Sequence, residues 1–304
     1  MSVLYSLLQR KATGLLSVLL LAVCVIGLAQ PVSAADEVER ESITLAPVSS
    51  RFQIDAGTTK EEELTILNDG NTAYDFIVYA RPYSVSNESY DPNFTQTPSN
   101  ADAYQWVQFR QVSWHAEAGQ TIKIPYTVRV PKGAAPGGHY GVIFAETQPV
   151  QETNGTSVIR KKRVGSIVYA TVKGSYTTGG QSLGSSVPPI QFRAPLYANT
   201  TVENTGNADF EAQTVYRVSD LFGNVKYETQ KQFIILPATA RKLNFEWVDA
   251  PWFGLFNVTI EAKFLDQTVN AQSLVLLVPR WLLLVLGVAA VGGGVYATLR
   301  IRRR

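Results

Sequence analysis

Glu63-Leu64-Thr65-Ile66-Leu67, then Asn68-Asp69-Gly70-Asn71, then Ala73-Tyr74-Asp75-Phe76-Ile77-Val78-Tyr79-Ala80 follow one another in the chain and decide its fold class. Leu64 and Ile66 alternate with polar neighbours, and Tyr74, Phe76 and Val78 recur at every second position, so each run reads as a strand that buries one face. Asp69-Gly70 between them supplies the left-handed turn residue of a hairpin. The pattern returns as Thr201-Val202-Glu203-Asn204-Thr205-Gly206-Asn207-Ala208-Asp209-Phe210, followed by Thr214-Val215-Tyr216-Arg217-Val218. Downstream, Ala118-Gly119-Gln120-Thr121-Ile122 parallels Pro237-Ala238-Thr239-Ala240-Arg241. Pro136-Gly137-Gly138-His139-Tyr140-Gly141 likewise parallels Pro251-Trp252-Phe253-Gly254-Leu255-Phe256. Matching features in one order predict an internal repeat of a single β domain.

Outward from these stretches, runs rich in Val, Ile, Thr, Tyr and Phe alternate with Gly, Pro, Asn and Asp clusters, and no long window between the two chain ends has helical spacing of apolar residues. The expectation is an all-β protein of two tandem immunoglobulin-like β-sandwich domains. The first runs from Ile43 to Gly174 and the second from Val187 to Pro279. The Gly-, Ser- and Thr-rich segment Ser175 to Ser186 reads as a linker between them. A polar stretch, Thr147 to Ser157, projects from the first domain before Val158 to Lys173 resumes a strand pattern.

The two ends are apolar for different reasons. Arg10 and Lys11 precede the run Leu15 to Leu28, and Pro31-Val32-Ser33-Ala34-Ala35 supplies small residues, so residues 1–34 read as a signal peptide cleaved after Ala34. An uncleaved anchor is the alternative. The single cysteine, Cys24, lies in that apolar run, which leaves the mature chain without disulfides, thiol chemistry or cysteine metal ligands. Trp281 to Leu299 carries no charge and is long enough to span a bilayer as a transmembrane helix. Arg280 precedes it, and the basic tail 300–304 places the C-terminus in the cytoplasm and the N-terminus outside. Ala289 with Gly293, and Ala290 with Gly294, have the spacing that lets helices approach closely. There is no Leu-Pro-x-Thr-Gly sorting signal, so the apolar segment stays in the protein. A net charge of +2, concentrated in the tail, argues against a nucleic-acid partner.

Little in the chain is equipped for catalysis. His115 and His139 fall in separate turns, which does not make a metal site, and no nucleophile elbow, phosphate-binding loop or His-Glu-x-x-His pair occurs. Glu61, Glu62 and Glu63 are consecutive and point in alternate directions, so they do not form a carboxylate pair. The reading is a non-enzyme without cofactor. Asn87, Asn93, Asn154, Asn199 and Asn257 head Asn-x-Ser/Thr triplets and read as turns and strand ends. The loop Ser84 to Gln105 is longer than a hairpin connection, and long loops on a rigid sandwich commonly carry binding surfaces. Its Tyr90, Phe94 and Tyr104 are candidate exposed contact residues, joined by His139 and Tyr140 of the Pro-Gly-Gly-His-Tyr-Gly turn.

Ile43-Thr44-Leu45-Ala46-Pro47, Asn68-Asp69-Gly70-Asn71 and Val128-Arg129-Val130-Pro131-Lys132-Gly133-Ala134-Ala135-Pro136-Gly137-Gly138-His139-Tyr140-Gly141 together resemble the N-terminal domain of the WxL-interacting proteins of Gram-positive bacteria, and more distantly the periplasmic pilus chaperones. The resemblance implies a membrane-anchored cell-surface protein whose first domain binds peptidoglycan and whose second binds a WxL-type surface protein or host matrix. The second domain matches that family only in position and type, and the arginine tail is shorter than the family's. The alternative is a membrane-tethered assembly chaperone that lends a strand to partner subunits, for which Thr121 to Val130 or Val158 to Lys173 would have to form a long open edge.

Overall fold

The computed structural model describes residues 40–148 and 161–302. The expected signal peptide, most of the stretch Thr147 to Ser157, and Arg303 and Arg304 lie outside the described residues. Period-two alternation pairs as the sequence implies. One sheet of the first sandwich has the order β1 (Ile43–Ala46), β3 (Thr59–Asn68), β9 (Thr121–Arg129), β7 (Val107–Phe109). Its partner sheet has the order β2 (Ser49–Ile54), β11 (Arg163–Val172), β10 (Gly137–Thr147), β4 (Tyr74–Pro82), β8 (Ser113–Ala116). Leu64, Ile66, Phe76, Val78, Ile124 and Val168 close the space between them. Full burial of side chains this size contributes about 1.5–3 kcal/mol each.

The second sandwich repeats the plan. One sheet runs β12 (Gly180–Ser186), β14 (Leu196–Asn204), β17 (Ala240–Trp247); the other runs β13 (Ile190–Gln191), β19 (Gln267–Leu277), β18 (Gly254–Phe264), β15 (Phe210–Ser219), β16 (Val225–Ile235). Val202, Tyr216, Leu243, Phe245, Val258 and Ile260 form its core. The chain is therefore all-β, two immunoglobulin-like sandwiches in tandem, followed by one apolar helix. That helix, α1 (Arg280–Arg302), is 23 residues long and apolar enough to cross a membrane, and its most apolar stretch is not buried against the rest of the protein.

Three expectations are corrected. The Asp69-Gly70 turn does not close a hairpin, because β3 and β4 belong to opposite sheets. The side chain of Asn68 explains the crossover: its Oδ1 accepts the Gly70 N–H at 3.1 Å, and its Nδ2 donates to the carbonyls of Thr72 (2.8 Å) and, at the far sheet, Ala116 (3.3 Å) and Glu117 (3.0 Å). The same device recurs at Asn204, whose Oδ1 accepts Gly206 N–H at 2.8 Å while Nδ2 donates to Ala208 and Ile235 carbonyls, each at 2.9 Å. Both asparagines are fully buried, and their main-chain N–H groups bond to the carbonyls of Gln120 and Thr239, residues that the sequence alignment pairs. Gly119 and Ala238 precede these with φ of 72° and 54°.

The linker is the second correction. Only its first part connects the sandwiches, since Gly180 to Ser186 form β12 and pair with β14 across a bulge at Ser182/Gly184. An edge strand of small, mostly exposed residues is held by its main chain, so it leaves no apolar period to read. Third, neither nominated edge strand is open along its whole length. β11 carries β2 beside it, in parallel, from Ile167 to Val172, and β9 carries β7 from Tyr126 to Val128.

Candidate functional site

β10 is buried on both faces. Ile143 and Ala145 point into the core of the first sandwich, while Tyr140, Val142 and Phe144 point outward and need a second cover. The loop from Ser84 to Gln105 supplies it, together with the near end of the second sandwich. A small hairpin, β5 (Ser84–Val85) with β6 (Pro92–Asn93), and a 3-10 turn, Ala103–Trp106, order that loop. Tyr83, Tyr90 and Phe94 then pack with Tyr140, Phe144, Tyr169 and Leu236 as a second apolar cluster.

This placement corrects the expectation of freely exposed loop aromatics, because the outward face of β10 is too apolar to leave in water. Tyr90 lies across the junction between the sandwiches: its hydroxyl is 2.6 Å from Thr239 Oγ1, it accepts the Leu236 N–H at 2.7 Å, and the Arg241 guanidinium sits 4.2 Å over its ring. Phe94 stacks edge-on against Phe144 at 5.0 Å. Tyr140 donates to Asp209 Oδ1 at 3.0 Å and accepts the Asp209 N–H at 3.1 Å. Asp209 also pairs with Arg51 of β2 at 2.7 Å. Burial, followed by the Asp209 charge, pushes the Tyr140 phenol far above its ordinary range, so it remains a neutral hydrogen-bonding group.

His139 is in β10 and not in a turn. It hydrogen-bonds Asp102 Oδ1 through Nδ1 at 2.7 Å and the Ala135 carbonyl through Nε2 at 2.8 Å, with Trp106 4.6 Å away ring to ring. Burial works against its charge, but the Asp102 carboxylate and the Ala135 carbonyl outweigh it and the pKa rises. His115 also occupies a strand, β8, on the surface beside Asp75 at 2.7 Å. Among the described residues no cluster of His, Cys, Asp and Glu has the geometry to hold a metal ion.

The glycines of the Pro-Gly-Gly-His-Tyr-Gly stretch are explained by contact. Gly137 has φ of 128°, and a Cβ there would come within 2.6 Å of the Asn207 carbonyl of the second sandwich. A Cβ on Gly141 would lie 2.7 Å from the Tyr104 nitrogen. The motif thus joins the two sandwiches and seats the loop.

Two grooves flank the loop. One, of about 770 Å³, lies between the sandwiches and is lined by Thr95, Thr97, Asn100, Tyr140, Asn207 and Thr239. The other, of about 750 Å³, lies on the outer face of the first sandwich and brings the candidates Phe94 and Tyr104 together with Arg81 and Arg163. Sequence reading missed both arginines. Their only signal was a position on strands flanking an apolar one.

Arg163 also begins the stretch of β11 that β2 leaves uncovered. The Ile167 N–H bonds to Val48 on the β2 side, so period two turns the N–H groups of Gly165 and Arg163 toward the same, open side. β9 has an open stretch too, Thr121 to Pro125, but Pro125 has no donor there. The Val130 N–H faces β3, which sets the odd-numbered positions, Pro125 among them, on the open side. Proline and lysine on an edge blunt it against pairing.

No family model and no curated protein matches the chain. Solved structures similar to it include the class 5 fimbriae chaperone CfaA, at 12% identity over 76% of this chain and 99% of that one, with a TM-score of 0.39. A chain from the Salmonella enterica SafA pilin and SafB chaperone complex is 11% identical over 77% of this chain and 98% of that one, with a TM-score of 0.41. A chain from the Acinetobacter baumannii CsuC–CsuE chaperone and tip subunit complex is 10% identical over 76% and 98%, with a TM-score of 0.38.

Proposed function

We propose that this chain is a non-enzymatic, membrane-tethered capture protein, of the assembly-chaperone kind, that offers the open part of β11 to an extended segment of another surface protein. The single observation behind this reading is that, among the described residues, no strand lies beside the N–H groups of Arg163 and Gly165 on the β2 side, in a stretch without a blunting proline and beside the groove of Arg81, Phe94, Tyr104 and Arg163. Main-chain pairing along such an edge supplies affinity, and the adjacent groove selects side chains. α1 would hold the pair of sandwiches at the outer face of the membrane with the arginine tail inside.

The test is a photo-crosslinking residue at position 163 of the full chain in its own envelope, with the same residue at exposed Asp266 as control. A defined surface-protein adduct from position 163 and none from 266 is the expected result. Equal labelling from both positions overturns the reading.

A second reading, a scaffold that holds peptidoglycan or a WxL-type partner, is favoured by the hydroxyl- and amide-lined groove between the sandwiches. Binding of the full chain to wall sacculi that is lost when Thr95, Thr97 and Asn100 are replaced by alanine would favour it over strand capture.

A further inference from the structure

The far end of the second sandwich is unlike the rest of the surface. Register fixes what meets there. Gly254 of β18 pairs with Leu277 of β19, Ser219 of β15 pairs with Asn257, Leu196 of β14 pairs with Trp247, and Gln191 of β13 pairs with Leu277. The turns Asp220 to Asn224 and Val248 to Phe253, and the segment after β13, therefore all lie at the end where β19 runs through Pro279 into α1.

That end displays large apolar side chains. Phe222 is 91% exposed, Trp252 64%, Val248 62%, Leu221 60%, Phe253 48% and Phe192 40%. Phe222 is held outward by a built turn. Asp220 Oδ1 accepts the N–H groups of Phe222 and Asn224, each at 2.9 Å, Oδ2 accepts Asn224 Nδ2 at 2.9 Å, and Lys226 pairs with the same carboxylate at 3.0 Å. The turn end of β15 and β16 thus spends its charge internally and leaves the ring in the open. The Trp252 ring stacks on Trp281 of the first turn of α1, 6.0 Å centre to centre, and the Arg280 guanidinium lies 5.3 Å over Phe192.

We propose that this end is a lipid-seating surface: Phe222, Trp252 and Phe253 enter the interface of the same bilayer that α1 crosses and hold the second sandwich down on it. The occupant follows from continuity. An apolar patch this exposed needs cover, α1 leaves from the same end with Trp281 stacked on Trp252, and an indole favours the headgroup level while the phenyl rings of Phe222 and Phe253 add apolar area to bury. The inference rests on the membrane-anchor reading above.

Its test uses the full chain with Cys24 replaced by serine, reconstituted in phosphatidylcholine vesicles containing phosphatidylglycerol. A nitroxide is placed in turn at Phe222→Cys, at Val291→Cys within α1 and at Asp266→Cys on the opposite end. Accessibility to oxygen, which concentrates in lipid, is compared with accessibility to a water-soluble nickel chelate. The expected result is a ratio several-fold higher at 222 than at 266, and higher again at 291. A ratio at 222 equal to that at 266, with 291 still deep, overturns the seating and leaves the anchor standing. Low ratios at all three overturn both. A second variant, carrying serine at Trp252 and Phe253 with the 222 label, should lower the 222 ratio toward the 266 value. An unchanged ratio would mean that the label inserts by itself, and the proposal fails.

Discussion

The two sandwiches share a strand plan and a buried asparagine, yet their corresponding ends do opposite things. In the first, the chain after β4 grows into the loop Ser84 to Gln105, and the start of β10 lies against Asn207, so that end is covered by the second sandwich. In the second, the chain after β15 is the short turn bearing Phe222, and the residues leading into β18, Trp252 and Phe253, are largely exposed, with Trp252 stacked on Trp281 of α1. A repeated frame that stacks head to tail must finish somewhere. The last copy keeps its aromatic end because another apolar surface takes the place of the next copy. The edges differ as well: β2 covers β11 from Ile167 to Val172, whereas β13 covers β19 at Leu276 and Leu277 alone. In the first sandwich a loop-built groove lies beside the open part of β11.

The strongest way to break the comparison is to remove the asparagine from each copy. Asn68→Ala leaves the Thr72 turn carbonyl and the Ala116 carbonyl of the opposite sheet without their donor, Asn204→Ala does the same to Ala208 and Ile235, and each should cost about 3 kcal/mol. Denaturant unfolding of the full chain in detergent, followed by tryptophan emission, checks this. Costs that differ by more than about 2 kcal/mol would show that the two residues are not equivalent.

Next in size is the joint. Tyr140→Phe removes both bonds to Asp209 and should cost about 2 kcal/mol. Tyr90→Phe should cost less, because its hydroxyl meets neutral, part-buried partners, Thr239 Oγ1 and the Leu236 N–H, where Tyr140 meets a buried carboxylate. Coupling between the two changes, read from the double variant, would show that the sandwiches are clamped as one unit; simple additivity would show two independent contacts.

A smaller, pH-dependent effect belongs to His139. Its folded pKa is raised above the ordinary 6.5, so the stabilisation it contributes is complete below that value and is lost as pH rises through the folded pKa. The gap in thermal midpoint between the native chain and His139→Gln should therefore be wider near about pH 5.5 than near about pH 8.5. A gap that widens toward alkaline pH would reverse the assignment. The smallest change concerns Ser166, whose hydroxyl is buried without a hydrogen-bond partner among the described residues. Ser166→Ala should be neutral or raise stability by up to about 1 kcal/mol.

Much of the fold could be read from residue order, because alternation is a local signal. Leu64, Ile66, Tyr74, Phe76 and Val78 are all buried, and Gln120 and Thr239 make matching bonds. The hairpin at Asp69-Gly70 was misread because a turn dipeptide does not reveal whether its two strands share a sheet. That choice was made by the long-range reach of Asn68 to Ala116 and Glu117. The candidate site was half legible. Loop length pointed to a segment that packs over β10, and Phe94 and Tyr104 line one groove. Tyr90 and Tyr140 form the joint, and nothing local announces that the outer face of β10 needs covering. Arg81 and Arg163 stayed hidden because strand arginines look alike until neighbours are known.

The most direct test of strand capture is to block the open stretches of β11 and β9 one at a time, in the full chain within its own envelope, and weigh the surface protein that co-purifies. Arg163→Pro removes an outward donor from β11 without touching its ladder to β10, and Lys123→Pro removes one from β9 without touching its ladder to β3, two residues before a proline already present. The account predicts that Arg163→Pro abolishes the partner and Lys123→Pro leaves it in place. Retention by the folded Arg163→Pro chain would contradict it.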